Sequence, residues 1–282
     1  MKITSKIQRI SISMDPKGLI WDGANYSCAY DSLFTVLFDV WKENEFLWNV
    51  NARFLKSKYL RLLGSGFLAV SQGNKTLETV RDEIRKVLHA KDKNAFPYGT
   101  VGTSLSQLAL EIFSSSTKIA HRQDRCTNCD FAKTAIEDRM GCIFLLDFHS
   151  TVSTSYTLGR HGHDLEERCC VCLSNMRACV FYTEFPLMLL FDHSAYIVKP
   201  SKEIKFHRED HETIKYRLIG LLYFGGFHFT SRIISPEGDI WYHDGMQTGN
   251  GFKSQGHRKF MNDEDWQACE GRKLVMSIYT KV

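Results

Sequence analysis

The sequence has little of what marks a disordered, secreted or membrane-spanning chain. Its 282 residues include only 5 prolines, too few for long disordered linkers. Residues 114–117 are too short to count as a low-complexity tract, and no internal repeat is present. No positively charged segment followed by an apolar core and a small-residue cleavage site opens the chain, so no secretory signal is expected. No run of about 18 apolar residues occurs, so neither a transmembrane helix nor a membrane partner is expected. An excess of one charge is also missing. The 36 Lys and Arg against 32 Asp and Glu leave +4, scattered along the chain, which gives little support to a nucleic-acid partner.

What is present is apolar and thiol-rich. Hydrophobic residues make up 43% of the chain and aromatics 12%, enough for a large core in one extended domain or two lobes. The cysteines number 9, an odd count grouped partly in short pairs. Without a secretory signal, that reads as thiol and metal chemistry of an intracellular protein, in cytoplasm or nucleus, rather than disulfides.

The first half has a helical rhythm. Leu33, Phe34, Val36, Leu37, Phe38, Val40 and Trp41 are apolar nearly all round, as in a helix buried on most sides. Residues 46–63 repeat Phe, Leu and Tyr at three- and four-residue steps. From Thr76, Leu77, Val80, Ile84, Val87 and Leu88 share a face, and a further helix is predicted from Ser104. The second half is built of short stretches rich in β-branched and aromatic residues: 187–191, 218–224, 227–234, 239–242 and 274–280. Helices first and strands later predict an α+β protein, a helical lobe against an antiparallel sheet.

Three residues carry candidate chemistry. Cys28 precedes the apolar helix, where the helix dipole favours a thiolate over a thiol of ordinary pKa near 8.5. His228 follows the Gly225-Gly226 pair, which suits a narrow channel or a mobile loop. Strand alternation from Phe227 sends His228 to the face opposite Phe227 and Phe229. Residues 235–238 read as a turn into the next strand, which places Asp244 within reach of His228. An imidazolium would pair with the thiolate and a carboxylate would hold the ring's tautomer, the parts of a cysteine protease. Taken singly, a buried thiol, a core histidine and an Asp-Gly turn are the plainer readings.

A second constellation lies between the halves. Cys126-Thr-Asn-Cys129 and Cys169-Cys-Val-Cys172 are paired knuckles of the kind that point two sulfurs at one tetrahedral zinc ion. Cys170 with Cys172 is an alternative pair, His161 and His163 are alternative ligands, and unrelated thiols are the remaining reading. Four protein ligands would leave no open position, so the role is structural.

Taken together, these motifs resemble those of the ubiquitin-specific proteases, papain-like cysteine proteases that cleave ubiquitin from proteins. Gly18-Leu19 and Cys28-Ala-Tyr-Asp-Ser32 are similar to the family's cysteine box, with Asp31 where Asn is common. Residues 216–224, Gly226, His228-Phe229, Gly238-Asp-Ile-Trp241 and Asp244 are similar to its histidine box. Residues 185–190 and 275–281 look like two further strands of the family. The resemblance implies Cys28 as nucleophile, His228 as base and Asp244 as orienting residue. It also implies a structural zinc ribbon and conjugates of ubiquitin or a ubiquitin-like protein as partners. One catalytic domain over 1–282 is expected, with a helical thumb at 18–120, zinc-ribbon fingers at 121–180 and a β palm at 181–282.

Two departures bear on activity. The family's oxyanion-hole Asn falls on Gly23 by spacing, in a loop that looks about two residues longer than usual, and Asn25 is the nearest candidate donor. The family's acidic tail-binding box corresponds to residues 102–108, with Ser104 at the acid's position and Glu111 one turn on. A catalytically weak or inactive ubiquitin-binding module of the same fold is therefore the alternative. A zinc-ribbon protein acting on nucleic acid would leave the Cys and His boxes unexplained. A transglutaminase-like fold shares the triad order but gives no reason for the zinc pairs.

Overall fold

The computed structural model describes residues 16–114, 118–133, 138–140, 143–145, 153–155, 164–182, 184–195, 198–207 and 213–282. The expected helices open the chain: α1 (Cys28–Glu43), α2 (Glu45–Phe54), α3 (Lys58–Ser71), α4 (Leu77–Lys91) and α5 (Leu105–Ile112). Each of the last four starts where a side chain accepts an orphan backbone N–H. Asn44 takes Leu47 N, Ser57 takes Leu60 N, Thr76 takes Thr79 N and Ser104 takes Gln107 N. The apolar run over 46–63 is two helices rather than one. The chain breaks at Lys56, which adopts a positive φ of 53°, and Ser57 caps the restart.

A five-stranded sheet follows, from β1 (Lys118–Cys126), β2 (Ala132–Lys133), β3 (Asp138–Met140), β5 (Asp164–Arg168) and β6 (Asn175–Tyr182). Its order is β2-β1-β6-β5, with β3 also paired to β1. The larger, nine-stranded sheet takes β4 (Ile143–Leu145), β7 (Met188–Asp192), β8 (Glu203–His207), β9 (Thr213–Gly225) and β10 (His228–Ile234). It is completed by β11 (Asp239–His243), β12 (Lys253–His257), β13 (Ala268–Cys269) and β14 (Arg272–Lys281). The order is β12-β11-β10-β9-β14-β7-β4, with β8 on β9 and β13 on β14. All these pairs are antiparallel except β4 with β7, a departure from the wholly antiparallel expectation. A short helix, α6 (Asp263–Gln267), lies before β13. Among the described residues, no helix is long and apolar enough to cross a membrane.

The sheet positions α1. Leu33, Val36 and Leu37 share a buried cluster with Ile219, Leu222, Ile233, Met276 and Ile278. Val36 and Val40 are poorer helix formers than alanine by a fraction of a kcal/mol, ~0.5 each. Each fully buried aliphatic side chain returns about 1.5–3 kcal/mol, so packing, not propensity, holds this helix. Contact is close enough to require Gly220, where a Cβ would lie 2.4 Å from Val36 Cγ1. The opposite face of the sheet is also filled, by Tyr216, Leu221, Tyr223, Ile240, Tyr242 and Trp266. The helix that opens on Cys28 is thus fixed against the strand that opens on His228.

Candidate active site

Cys28 is the first residue of α1 and is buried. His228 is the first residue of β10, directly after a tight turn. His228 pairs with Gly225 across that turn, and Gly226 and Phe227 have φ of 59° and 58°, the signature of a two-residue I′ hairpin. Phe227 is therefore not a strand residue. It stands 90% exposed at the tip, and the strand alternation that orients His228 begins at His228 itself. Gly225 closes β9 and Gly226 is the first residue of this turn.

The hairpin register then delivers the carboxylate. The turn over 235–238 closes with Gly238 N on Ser235 O at 3.0 Å, and Ser231 faces His243 across β10 and β11. Asp244, one residue beyond β11, meets the ring of His228: Nε2 to Oδ1 is 2.7 Å. Asp244 is fully buried and held from several sides. Met246 N donates to Oδ1 at 2.9 Å and Tyr242 OH to Oδ2 at 3.4 Å. The Arg272 guanidinium lies 3.6 Å from Oδ2. Neither Tyr242 nor Arg272 was singled out in the sequence. Tyr242 had a signal, since it stands two residues before Asp244 and so on the same strand face. Arg272 had none, because it arrives from β14, a separate strand.

Burial opposes charge on His228, but the hydrogen bonds and negative charges of Asp244 and Cys28 outweigh it and hold the ring at about 9. Burial likewise opposes the Asp244 carboxylate, yet His228, Met246 N and Arg272 keep its pKa below the ordinary value. The Trp21 ring meets His228 edge to face at 5.9 Å. The chain before Cys28 is also tied to the loop after Asp244. Gly18 N donates to Asn250 O at 3.0 Å and Trp21 N to Gly245 O at 3.2 Å. Gly245 permits that approach, since a Cβ there would lie 2.6 Å from Leu19 O. Cys28, His228 and Asp244, spread over most of the sequence, are brought into one place.

The structure places Asn25 between two loops. Its Nδ2 donates to Asp22 Oδ2 at 2.8 Å and its Oδ1 accepts from Gly99 N at 3.0 Å. The amide braces two loops against each other. Ser104 caps α5, and Glu111, about two turns further along that helix, is ion-paired with Lys91 at 2.5 Å.

The cysteine pairs converge as well. The sulfurs of Cys126, Cys129, Cys169 and Cys172 all lie within 4.8 Å of one another. Cys126 to Cys172 is 3.4 Å, Cys129 to Cys172 3.5 Å and Cys129 to Cys169 3.7 Å. A tetrahedron with zinc–sulfur bonds of about 2.3 Å has edges of about 3.8 Å, so the four thiols fit such an ion. Backbone N–H groups of Asn128, Cys129 and Val171 point at the Cys126 and Cys169 sulfurs, fixing both knuckles. Cys170 is exposed and outside the cluster, which resolves the choice between the pairs. His161 and His163 lie outside the described residues.

The architecture is one that solved structures share. The chain is similar to the SAGA Ubp8/Sgf11/Sus1/Sgf73 DUB module solved with ubiquitin aldehyde. The TM-score is 0.59 at 12% identity, over 94% of this chain and 69% of that one. A second structure of that module, with a variant Ubp8 bound to monoubiquitin, gives a TM-score of 0.57 at 12% identity over the same shares. A third, with another variant Ubp8, gives 0.55 at 13% identity, over 100% of this chain and 71% of that chain. No protein-family model matches the chain, and no curated protein matches it in sequence. The likeness is therefore one of fold: mixed helices and largely antiparallel sheets arranged as in a deubiquitinating module.

Proposed function

We propose that this chain is a thiol-dependent ubiquitinyl hydrolase of papain-like fold. It cuts the isopeptide bond after the C-terminal glycine of ubiquitin or a ubiquitin-like modifier. The observation that carries the reading is His228, hydrogen-bonded through Nε2 to the buried Asp244 and close enough to Cys28 for the thiol to act on its ring. A fold shared with a module solved bound to ubiquitin aldehyde supports the choice of substrate. In this reading 18–120 form the thumb, 121–180 the fingers and 181–282 the palm.

Cys28 attacks the glycine carbonyl as thiolate, with the His228 imidazolium beside it. The carbon–nitrogen bond breaks as His228 gives its proton to the departing lysine amine, leaving a thioester on Cys28. His228 next takes a proton from water, and the hydroxide releases the ubiquitin carboxylate and the thiol. Asp244 keeps the Nε2–H oriented throughout. The oxyanion is assigned to the backbone N–H of Cys28, one of the first-turn donors that a helix does not use internally. Cys126, Cys129, Cys169 and Cys172 would hold a zinc ion, which supplies structural cross-linking and no open coordination position.

A ubiquitin probe carrying a C-terminal electrophile is expected to label the wild-type chain at Cys28 and to leave Cys28→Ala unlabelled. Absence of labelling by ubiquitin and ubiquitin-like probes alike refutes hydrolysis. The second reading, a ubiquitin-binding module without turnover, is favoured by one observation: the tail-binding segment offers a capping serine and a Lys91-paired Glu111 in place of a free acid. Ubiquitin binding by calorimetry with no labelling of Cys28 selects it.

A further inference from the structure

Two arginines on α4 are buried where no arginine is needed to fill a core. Arg81 and Arg85, one helical turn apart, are 3% and 1% exposed, and both point at the segment leading into Cys28. The Arg81 Nη1 donates to Ile20 O at 2.8 Å, to Asp31 Oδ1 at 2.9 Å and to Ser27 Oγ at 3.4 Å. Ser27 closes the ring, accepting from Asp22 N at 2.7 Å and donating to Asp31 Oδ2 at 2.6 Å. Burial pushes the Asp31 carboxyl up to about 7 against the pull of Arg81, so the pair is held at an energetic cost.

Arg85 grips the same segment further along. Its Nη2 donates to Asn25 O and, at 2.8 Å, to Pro97 O. Its guanidinium lies 5.0 Å from the Tyr30 ring centre and 4.9 Å from that of Tyr98. The remaining Nε and Nη1 have no hydrogen-bond acceptor; the two aromatic faces stand in for one. Between them, the arginines hold carbonyls at positions 20, 25 and 97 and the hydroxyl of Ser27. The held segment includes Tyr26 at a positive φ of 41°, a backbone state that persists only when its surroundings enforce it.

We propose that Arg81 and Arg85 are positioning residues for the nucleophile. They act through the 20–27 segment to set Cys28 against His228; Asp31 is the buried counter-charge of Arg81, whose Nε also donates to the exposed Asp82 at 2.8 Å. Replacing a buried ion pair by apolar side chains is often neutral or stabilising, so stability alone does not account for the Arg81–Asp31 pair, nor for a second buried arginine, Arg85, whose partners are carbonyls and rings. The inference rests on Cys28 being the reactive thiol of the proposed hydrolase. Its test, however, uses no ubiquitin.

The full chain is treated with iodoacetamide, and alkylation of the Cys28 and Cys170 peptides is followed by mass spectrometry across pH, with thermal melting in parallel. Arg81→Lys and Arg85→Lys keep the charge but lose the planar fork that reaches several acceptors at once. Each is expected to slow alkylation at Cys28 by about tenfold or more, the scale of a small misplacement of a reacting group. Exposed Cys170 should react at an unchanged rate and the melting temperature should stay near wild type. The double variant Asp31→Asn, Arg81→Gln restores a neutral hydrogen-bonded bridge and is expected to recover part of the Cys28 rate. Wild-type Cys28 rates and pH profiles in both lysine variants overturn the proposal. So does a loss at Cys28 that only tracks a fall in folded fraction. If wild type fails the ubiquitin probe but Cys28 responds to both lysine variants, the substrate reading fails and the positioning inference stands.

Discussion

Asp244→Asn separates the charge of the site from its geometry. In the wild type Oδ1 accepts from both His228 Nε2 and Met246 N, at 2.7 and 2.9 Å. An asparagine oxygen can keep both bonds, while its amide group faces Tyr242 and Arg272 where Oδ2 was. The ring orientation survives and the negative charge does not. A hydrogen bond to a charged partner contributes about 1.5–3 kcal/mol and a neutral one about 0.5–1.5, so roughly 1–1.5 kcal/mol of support for the imidazolium is lost. That equals about one pKa unit. His228, held at about 9 in the wild type, is expected to titrate about one unit lower in the variant. The sign is fixed by linkage. A histidine raised above its unfolded value adds stability that is fully present below about 6.5 and is lost as pH rises through about 9. The Asp244→Asn protein should therefore lose less stability between these limits, and its alkaline activity limb should fall at lower pH. Carbon-13 titration of the His228 ring reads the midpoint directly. A wild-type midpoint near 6.5, or an unmoved midpoint in the variant, refutes the electrostatic account.

Other expectations are simpler. One zinc per chain should be measured by metal analysis, and Cys172→Ser or chelation should abolish it and lower the melting temperature; a metal-free wild type with unchanged melting contradicts the site. Gly220→Ala would drive a methyl into Val36, 2.4 Å from its Cγ1. It should cost about 1–3 kcal/mol in urea unfolding, and an unchanged midpoint would show that α1 does not press on β9. Phe227→Gly relieves a left-handed backbone at an exposed tip and should stabilise the chain by about 1 kcal/mol; destabilisation would mean that the phenyl ring packs in solution.

The helices and the site were legible in the sequence to different depths. α4 and α5 announce themselves through Thr76 and Ser104, cap residues ahead of a single apolar face, and both start there. The break at Lys56 was not legible, because a positive φ at a lysine leaves no compositional mark. Strand existence was readable but length was not. β9 runs from Thr213, well before the predicted 218, since pairing with β8 recruits the alternating residues 213–217. β12 (KSQGH) and β1 (KIAHRQDRC) are polar enough to read as loops. Cys28, His228 and Asp244 were visible as chemistry because each sits at an element boundary. The Arg81 and Arg85 contacts were not, since on α4 they read as the charged side of an amphipathic helix while in fact they face inward. The bonds of Asn25 were hidden for a related reason: proximity to Cys28 in sequence says nothing about what its amide already holds.

The two backbone hydrogen bonds that tie Gly18 and Trp21 to Asn250 and Gly245 join parts of the chain separated by nearly its whole length. Contacts of such high sequence separation are the ones that slow folding, because loop closure must precede their gain. Individual helices and hairpins can assemble before them; the Cys28–His228 pairing cannot. On the proposed reading, thiol reactivity at Cys28 would report on whether these two distant segments are joined.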